Sequence, residues 1–389
     1  MAMIPYGRQE INQADIEAVV EVLRSDYLTQ GSVVPAFENV VAGYCEVQHA
    51  VAVSSATAAL HIACLALELG EGDWLWTSPI TFVASANCGL YCGAKIDFVD
   101  IDPATYNMSV EKLAEKLALA EKDGRLPKVV VPVHLSGQSC DMAGIHKLSQ
   151  QYGFRVIEDA SHSTGASYQG QPVGNCRYSD ITVFSFHPVK IITTGEGGMA
   201  LTNDPALADR MERYRSHGVT SEPAQMQPRP TDEIWNYQQI RLGFHYRMTD
   251  IQASLGVSQM TRLDAFVEKR RQIALRYDEE LRGLPLQTPW QHPDGKSSYH
   301  LYPIRLRLAG LTQTQSQIYE ALRAGGILVN LHYIPVYRQP FYEKFGFRRG
   351  YCAEAERYYK EAISLPMYSS MTEAQHSLVI EVLKKVLAA

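Results

Sequence analysis

Three short stretches hold residues whose types and spacing could do chemistry. The apolar run Ala50–Val53 is followed by Ser54, Ser55, Ala56, Thr57 and Ala58. Small side chains opening a helix leave its first N–H groups accessible to an anion, and Thr57 adds a hydroxyl. Alone, this stretch also reads as an ordinary Ser/Thr helix cap. The run Phe154–Asp159 ends in a carboxylate and leads into Ala160, Ser161 and His162. A carboxylate closing an apolar strand is costly without a cationic partner. A helix cap, an ion pair or the protonated ring nitrogen of a cofactor would each meet that need. The run Ile181–Phe186 is followed by His187, Pro188, Val189 and Lys190, then by Thr193-Thr194-Gly195-Glu196-Gly197-Gly198. Partial burial of Lys190 between β-branched segments would lower its pKa and give an amine nucleophile. The competing reading is a solvated loop lysine, the usual place for this residue type. Together the stretches set a phosphate cradle, a carboxylate and an amine at the ends of three strands. A cofactor with a phosphate, a basic ring nitrogen and an aldehyde uses all three. Pyridoxal phosphate (PLP) has those parts: lysine forms its Schiff base, and an aspartate keeps its ring nitrogen protonated so that the ring accepts electrons.

The elements that must position these residues are legible in the apolar pattern. Ile16, Val19, Val20 and Leu23 recur at helical spacing after Asn12 and Asp15. Strands are expected at Ala50–Val53, Trp74–Thr77, Lys95–Asp100, Val129–Val133, Phe154–Asp159 and Ile181–Phe186. Helices are expected between them: one ending near Gly70, one starting near Pro79 and one from Asp141. Continuous apolar strands alternating with helices indicate an α/β fold with a mostly parallel sheet covered on both faces. Such sheets bind ligands at the carboxyl ends of their strands. Past about Arg247 the texture changes. A long helical stretch spans Asp250–Leu284, followed by strands near Tyr299–Leu306 and Ile327–Leu331 around a helix near Thr312–Ala324. The expectation is a large domain over 1–249 and a smaller C-terminal α/β domain over 250–389, with a mobile loop at Ser216–Gln239.

Composition narrows the function classes. The chain has 389 residues, 46% hydrophobic and 20% charged, in the range of a soluble globular protein. A net charge of −6 without a polybasic run argues against nucleic acid as the main partner. Seven scattered cysteines do not make a disulfide framework. Cys88 and Cys92 have no second pair at zinc-finger spacing, so no metal site is expected and buried free thiols fit better. The N-terminus lacks an apolar signal core and no run is long enough to span a bilayer, so a reducing cytoplasm and no membrane partner are expected. No G-x-G-x-x-G follows the early strands, which disfavours a dinucleotide-binding dehydrogenase.

The sequence resembles the DegT-type nucleotide-sugar aminotransferases, within the fold-type I PLP enzymes, over nearly its whole length. The resemblance is carried by SSATAALH (Ser54–His61), SPITFVASAN (Ser78–Asn87), VPVHLSGQ (Val131–Gln138), IEDASHS (Ile157–Ser163), FSFHPVKIITTGEGG (Phe184–Gly198) and GFHYRMTDIQASLG (Gly243–Gly256). LTQGS (Leu28–Ser32), HLYPIRL (His300–Leu306), LHYIPVY (Leu331–Tyr337) and ISLPMY (Ile363–Tyr368) bring it nearest to the UDP-sugar 4-aminotransferases of the pseudaminic acid pathway. The resemblance implies PLP held by Lys190, with Asp159 on the ring nitrogen, His162 at the ring hydroxyl and Phe82 stacked on the ring. Ala56, Thr57 and Ser185 would hold the phosphate. It further implies a homodimer with shared active sites, in which the segment around His245 reaches the partner's cofactor phosphate. Most relatives have Asn where this chain has His245. The nucleotide sugar would contact Tyr6, the loop Asp26-Tyr27-Leu28-Thr29, Tyr246, and the segment holding His332 and Tyr333. Glutamate is the implied amino donor. Competing expectations are a dTDP- or GDP-linked keto sugar, and a PLP-binding regulator that keeps the fold without turnover. Sugar dehydratases of the same fold carry His at the lysine position, and Lys190 speaks against them.

Overall fold

A computed structural model describes residues 3–228 and 232–388. Its centre is a sheet of seven strands: β1 (His49–Val53), β2 (Trp74–Thr77), β3 (Lys95–Phe98), β4 (Val129–Val131), β5 (Arg155–Asp159), β6 (Ile181–Ser185) and β7 (Gly198–Thr202), in the order β1-β7-β6-β5-β4-β2-β3. Strands β4, β6 and β7 are buried at every position, as expected for strands covered on both faces. The parallel pairs run from β3 to β6. Strand β7 is absent from the sequence reading and runs antiparallel to both β1 and β6. The reason is the connection. Only Phe186–Gly197 separates β6 from β7, with no helix in it, and a parallel return needs a longer crossover. The chain therefore folds straight back, and Lys190 rides on the turn.

Helices α1 (Gln13–Arg24), α2 (Val33–Cys45), α3 (Ala56–Ala66), α4 (Ala84–Tyr91), α5 (Val110–Lys122), α6 (Met142–Tyr152) and α7 (Pro205–Arg215) follow in chain order, α2 to α7 flanking the sheet and α1 tied through Asp15 to Ser258 and Gln259. The helix α3 ends at Ala66 and α4 begins at Ala84, shorter than the apolar runs suggested. The stretch expected as one long helix is two: α8 (Asp250–Met260) and α9 (Leu263–Glu280). Met248, Ala253, Leu263 and Phe266 pack in one core with Phe37 and Phe184. A second sheet, Leu286–Gln287, Tyr302–Leu306 and Ala362–Leu365, packs with the C-terminal helix Glu373–Leu387 and the later part of α9. Ile4 joins that second core through the parallel pairing of Ile4–Pro5 with Ile327–Leu328. The loop expected at Ser216–Gln239 contains a short antiparallel pair, Val219–Thr220 with Gln238–Gln239, and its residues 229–231 lie outside the described residues.

Candidate active site

The carboxyl ends of β1, β5 and β6 open on one cavity of about 780 Å³, of a size that holds small-molecule ligands. It is lined by Ala56, Thr57, Phe82, Asp159, His162, Ser185 and Lys190, and also by Tyr6, His332 and Tyr333. Ten residues expected from sequence to serve one site thus share one cavity. His245, Tyr246 and Asp26–Thr29 do not line it in the single chain. Tyr246 runs past the end of β1, its carbonyl accepting from Ser54 N–H at 2.7 Å and its hydroxyl 3.1 Å from His61 Nδ1. His245 is exposed, its ring stacked on His217 at 5.4 Å. The loop Asp26–Thr29 is exposed beside α8, Leu28 accepting from Asp250 N–H at 3.0 Å.

Each group is placed by a local cause. Ser55 caps α3 by accepting from Ala58 N–H at 3.2 Å. The N–H groups of Ala56 and Thr57, the first two helical residues, have no intrahelical acceptor and lie at the positive end of the helix, where an anion is favoured. Gly198 lets β7 approach this helix start: a Cβ there would run into Ala56 N and the Ser55 carbonyl. Asp159 is buried at the end of β5, where Ser85 Oγ donates to it at 2.6 Å and Ser161 N–H at 3.2 Å. Sequence reasoning missed Ser85, although its spacing of three from Phe82 at the start of α4 was a usable signal. Phe82 is 59% exposed while lining the cavity, an apolar ring face turned to a ligand. Lys190 follows the turn in which its N–H donates to His187 carbonyl at 2.9 Å. Gly195 sits at φ 80°, a conformation natural to glycine, where the chain reverses toward β7. Among the described residues no group of His, Cys, Asp or Glu is disposed to hold a metal ion.

Burial lowers the Lys190 ammonium to about 8, opposed by the nearby Asp159 carboxylate. Half of the side chain is then the neutral amine near pH 8. We expect reductive methylation of Lys190 in the apoprotein to rise with pH through a single ionisation near 8, whereas exposed lysines follow about 10.4. Peptide mass mapping across pH measures both. A Lys190 midpoint above 10 would show that its amine is fully solvated.

These residues fit PLP. The start of α3 with Thr57 and Ser185 offers donors for a phosphate, Asp159 a fixed negative charge, Phe82 an apolar face and Lys190 a desolvated amine. Among the described residues no helix is long and apolar enough to cross a membrane.

Comparison with known proteins agrees. The sequence pattern of the DegT/DnrJ/EryC1/StrS aminotransferase family matches residues 9–384. The chain is 37% identical to the spore coat polysaccharide biosynthesis protein SpsC of Bacillus subtilis, covering 98% of this chain and 97% of that one. It is 36% identical to the UDP-4-amino-4,6-dideoxy-N-acetyl-beta-L-altrosamine transaminase of Campylobacter jejuni, covering 99% and 98%. Its fold is similar to that of Helicobacter pylori PseC, an aminotransferase involved in the biosynthesis of pseudoaminic acid, with TM-score 0.90, 30% identity and 99% of both chains covered. It is similar also to Spr1654 of Streptococcus pneumoniae solved in its PLP form, with TM-score 0.88, 28% identity and 99% of both chains covered.

Proposed function

Because the chain belongs to the DegT/DnrJ/EryC1/StrS family and is a PLP-dependent nucleotide-sugar aminotransferase, we propose that it carries an amino group from glutamate to the 4-keto carbon of a UDP-linked 4-keto-6-deoxy-N-acetylhexosamine, in pseudaminic acid biosynthesis in the cytoplasm. The observation that carries the substrate reading is the likeness, along 99% of the chain, to the Campylobacter transaminase.

In this reading Lys190 holds the cofactor covalently and Asp159 pairs with its ring nitrogen. Phe82 covers the ring face, and Ala56, Thr57 and Ser185 hold the phosphate, whereas both ring nitrogens of His162 are engaged by the Ser136 N–H and the Tyr333 hydroxyl, so His162 lines the cavity without the contact to the ring hydroxyl that the resemblance implied. When bound, the cofactor supplies an aldehyde that exchanges amines and a ring that accepts the electron pair left at the amino-bearing carbon. Lys190 Nζ is the base that moves a proton at that carbon, and desolvation brings its ionisation down to about 8, so that a fraction is the neutral amine near physiological pH. Asp159, with Ser85 and the Ser161 N–H fixing its oxygens, holds the ring proton in place. Donor and acceptor share one cavity and exclude each other, so ping-pong kinetics are expected. The sugar nucleotide contacts Tyr6, His332 and Tyr333 of one chain. His245, Tyr246 and Asp26–Thr29 come from a second copy, in a homodimer. Ile234, Trp235 and Leu242 are 89%, 75% and 78% exposed, an apolar surface that such a copy would cover.

A panel of 4-keto sugars on UDP, dTDP and GDP, offered with glutamate and PLP, tests this. We expect kcat/KM for the UDP-linked N-acetylated sugar to exceed the others by at least about tenfold, equivalent to about 1.4 kcal/mol. A preference for a dTDP- or GDP-linked sugar would replace the substrate, and no transfer to any sugar would remove it.

A further inference from the structure

One polar chain in the cavity wall runs in a single direction. Ser136 N–H donates to His162 Nδ1 at 3.2 Å. A neutral ring nitrogen that accepts a hydrogen bond carries no proton, so the proton sits on Nε2. The ring is neutral, because burial and the nearby Lys190 and His332 hold it well below the usual histidine range. Nε2 lies 3.2 Å from the Tyr333 hydroxyl, so Nε2–H donates and Tyr333 Oη accepts. The phenol's own proton is left over from that bond. Tyr333 lines the cavity, and burial keeps its hydroxyl protonated. The neighbouring His332 has both ring nitrogens engaged within the protein, with Ser364 Oγ at 2.9 Å and Asn330 Nδ2 at 3.4 Å.

The arrangement is held from several sides. Ser136 stands at φ 63°, ψ 1°, a left-handed conformation unfavourable to a residue with a Cβ, in the loop that presents its N–H to His162. The loop is pinned by the distant segment Ser298–Leu301: Ser298 N–H donates to Gly137 carbonyl at 3.1 Å and Leu301 N–H to Ser136 carbonyl at 3.3 Å. Ser298 Oγ donates to the His162 carbonyl at 2.9 Å, and the His300 ring packs 4.4 Å from the His162 ring. The buried Arg270 guanidinium ties down that segment through the Tyr299 and His300 carbonyls.

We propose that Tyr333 is a fixed hydrogen-bond donor to a substrate oxygen beside the carbon that exchanges its amino group, with Ser136 and His162 as its positioning residues. The proposal deepens the reading of this cavity as the amino-transfer site, since Tyr333 shares it with Lys190 and Asp159. The oxygen accepted is either a carboxylate oxygen of the amino donor or the keto oxygen of the sugar. Tyr333→Phe removes only the hydroxyl, and the two half-reactions can be followed separately by cofactor absorbance. We expect kcat/KM to fall at least tenfold in one of them, with the unfolding temperature kept. A loss with glutamate assigns the donor's carboxylate, and a loss with the sugar assigns the keto oxygen. Less than threefold change in both overturns the proposal. A second measurement needs no substrate. In ¹⁵N-histidine spectra of the apoprotein, the signal lost in His162→Gln should be that of the Nε2–H tautomer in the parent. An Nδ1–H tautomer there overturns the relay, whatever sugar the enzyme takes.

Discussion

Replacing Lys190 by alanine is expected to abolish amino transfer, by more than about 10⁴-fold. Two contributions vanish together. A positioned general base is worth about 10²–10⁴-fold, and the covalent hold on the cofactor is lost with it. The visible band of the covalently held cofactor should be missing when PLP is titrated into the variant. The alanine protein should still fold. Lys190 has its ammonium lowered to about 8 by burial, so the protonated form is disfavoured in the folded chain relative to the unfolded one below that pH. Removing it takes away a destabilising charge, and the apo variant should melt no lower than the parent at pH 7. Unfolding and loss of chemistry are thereby separated. Substantial residual turnover in a folded variant would take the reacting amine away from Lys190.

Asp159→Asn should give the second largest effect, with the opposite signature. The side chain keeps its shape and can still hydrogen-bond Ser85, but its negative charge is gone. A neutral partner does not hold a proton on the cofactor's ring nitrogen, and the ring becomes a poor electron acceptor. Turnover is expected to fall about 10²–10⁴-fold, the range of positioned acid–base and electrostatic groups. Lys190 is intact, so the variant should still capture PLP covalently, with its visible band shifted. Capture without turnover is the result that identifies Asp159 with the electron sink. Turnover within threefold of the parent would remove that role.

The two predictions concern residues that stood out in the sequence for the same reason. Asp159 closes the strand Arg155–Asp159 and Lys190 follows the strand Ile181–Ser185, both buried along most of their length. Burial on both faces leaves only the strand ends for polar chemistry, so a charge just past such a run is conspicuous. Ala56 and Thr57 are placed by the same rule, whereas Ser185 came only with the likeness to the family. His162, Phe82 and the likeness to a family came from motif blocks, and the cavity gathers His162 and Phe82 with the rest.

The partners of these residues were not conspicuous. Ser136 owes its conformation to contacts with Ser298–Leu301, and His300 meets His162 across a chain separation of 138 residues. Strand β7 reads as a short, mostly apolar run, and only the short, helix-free return from β6 makes it antiparallel.

The sequence by itself determined six of the seven strands of the central sheet and helices between them, the buried character of the sheet and the residues at its carboxyl edge. These follow from side-chain periodicity and from the cost of burying a lone charge, which act locally. Tertiary structure decided which strand edges meet, which distant segment closes the cavity over Asp159 and Lys190, and which tautomer His162 holds. Those depend on hydrogen bonds between groups far apart in the chain, whose geometry no local pattern encodes.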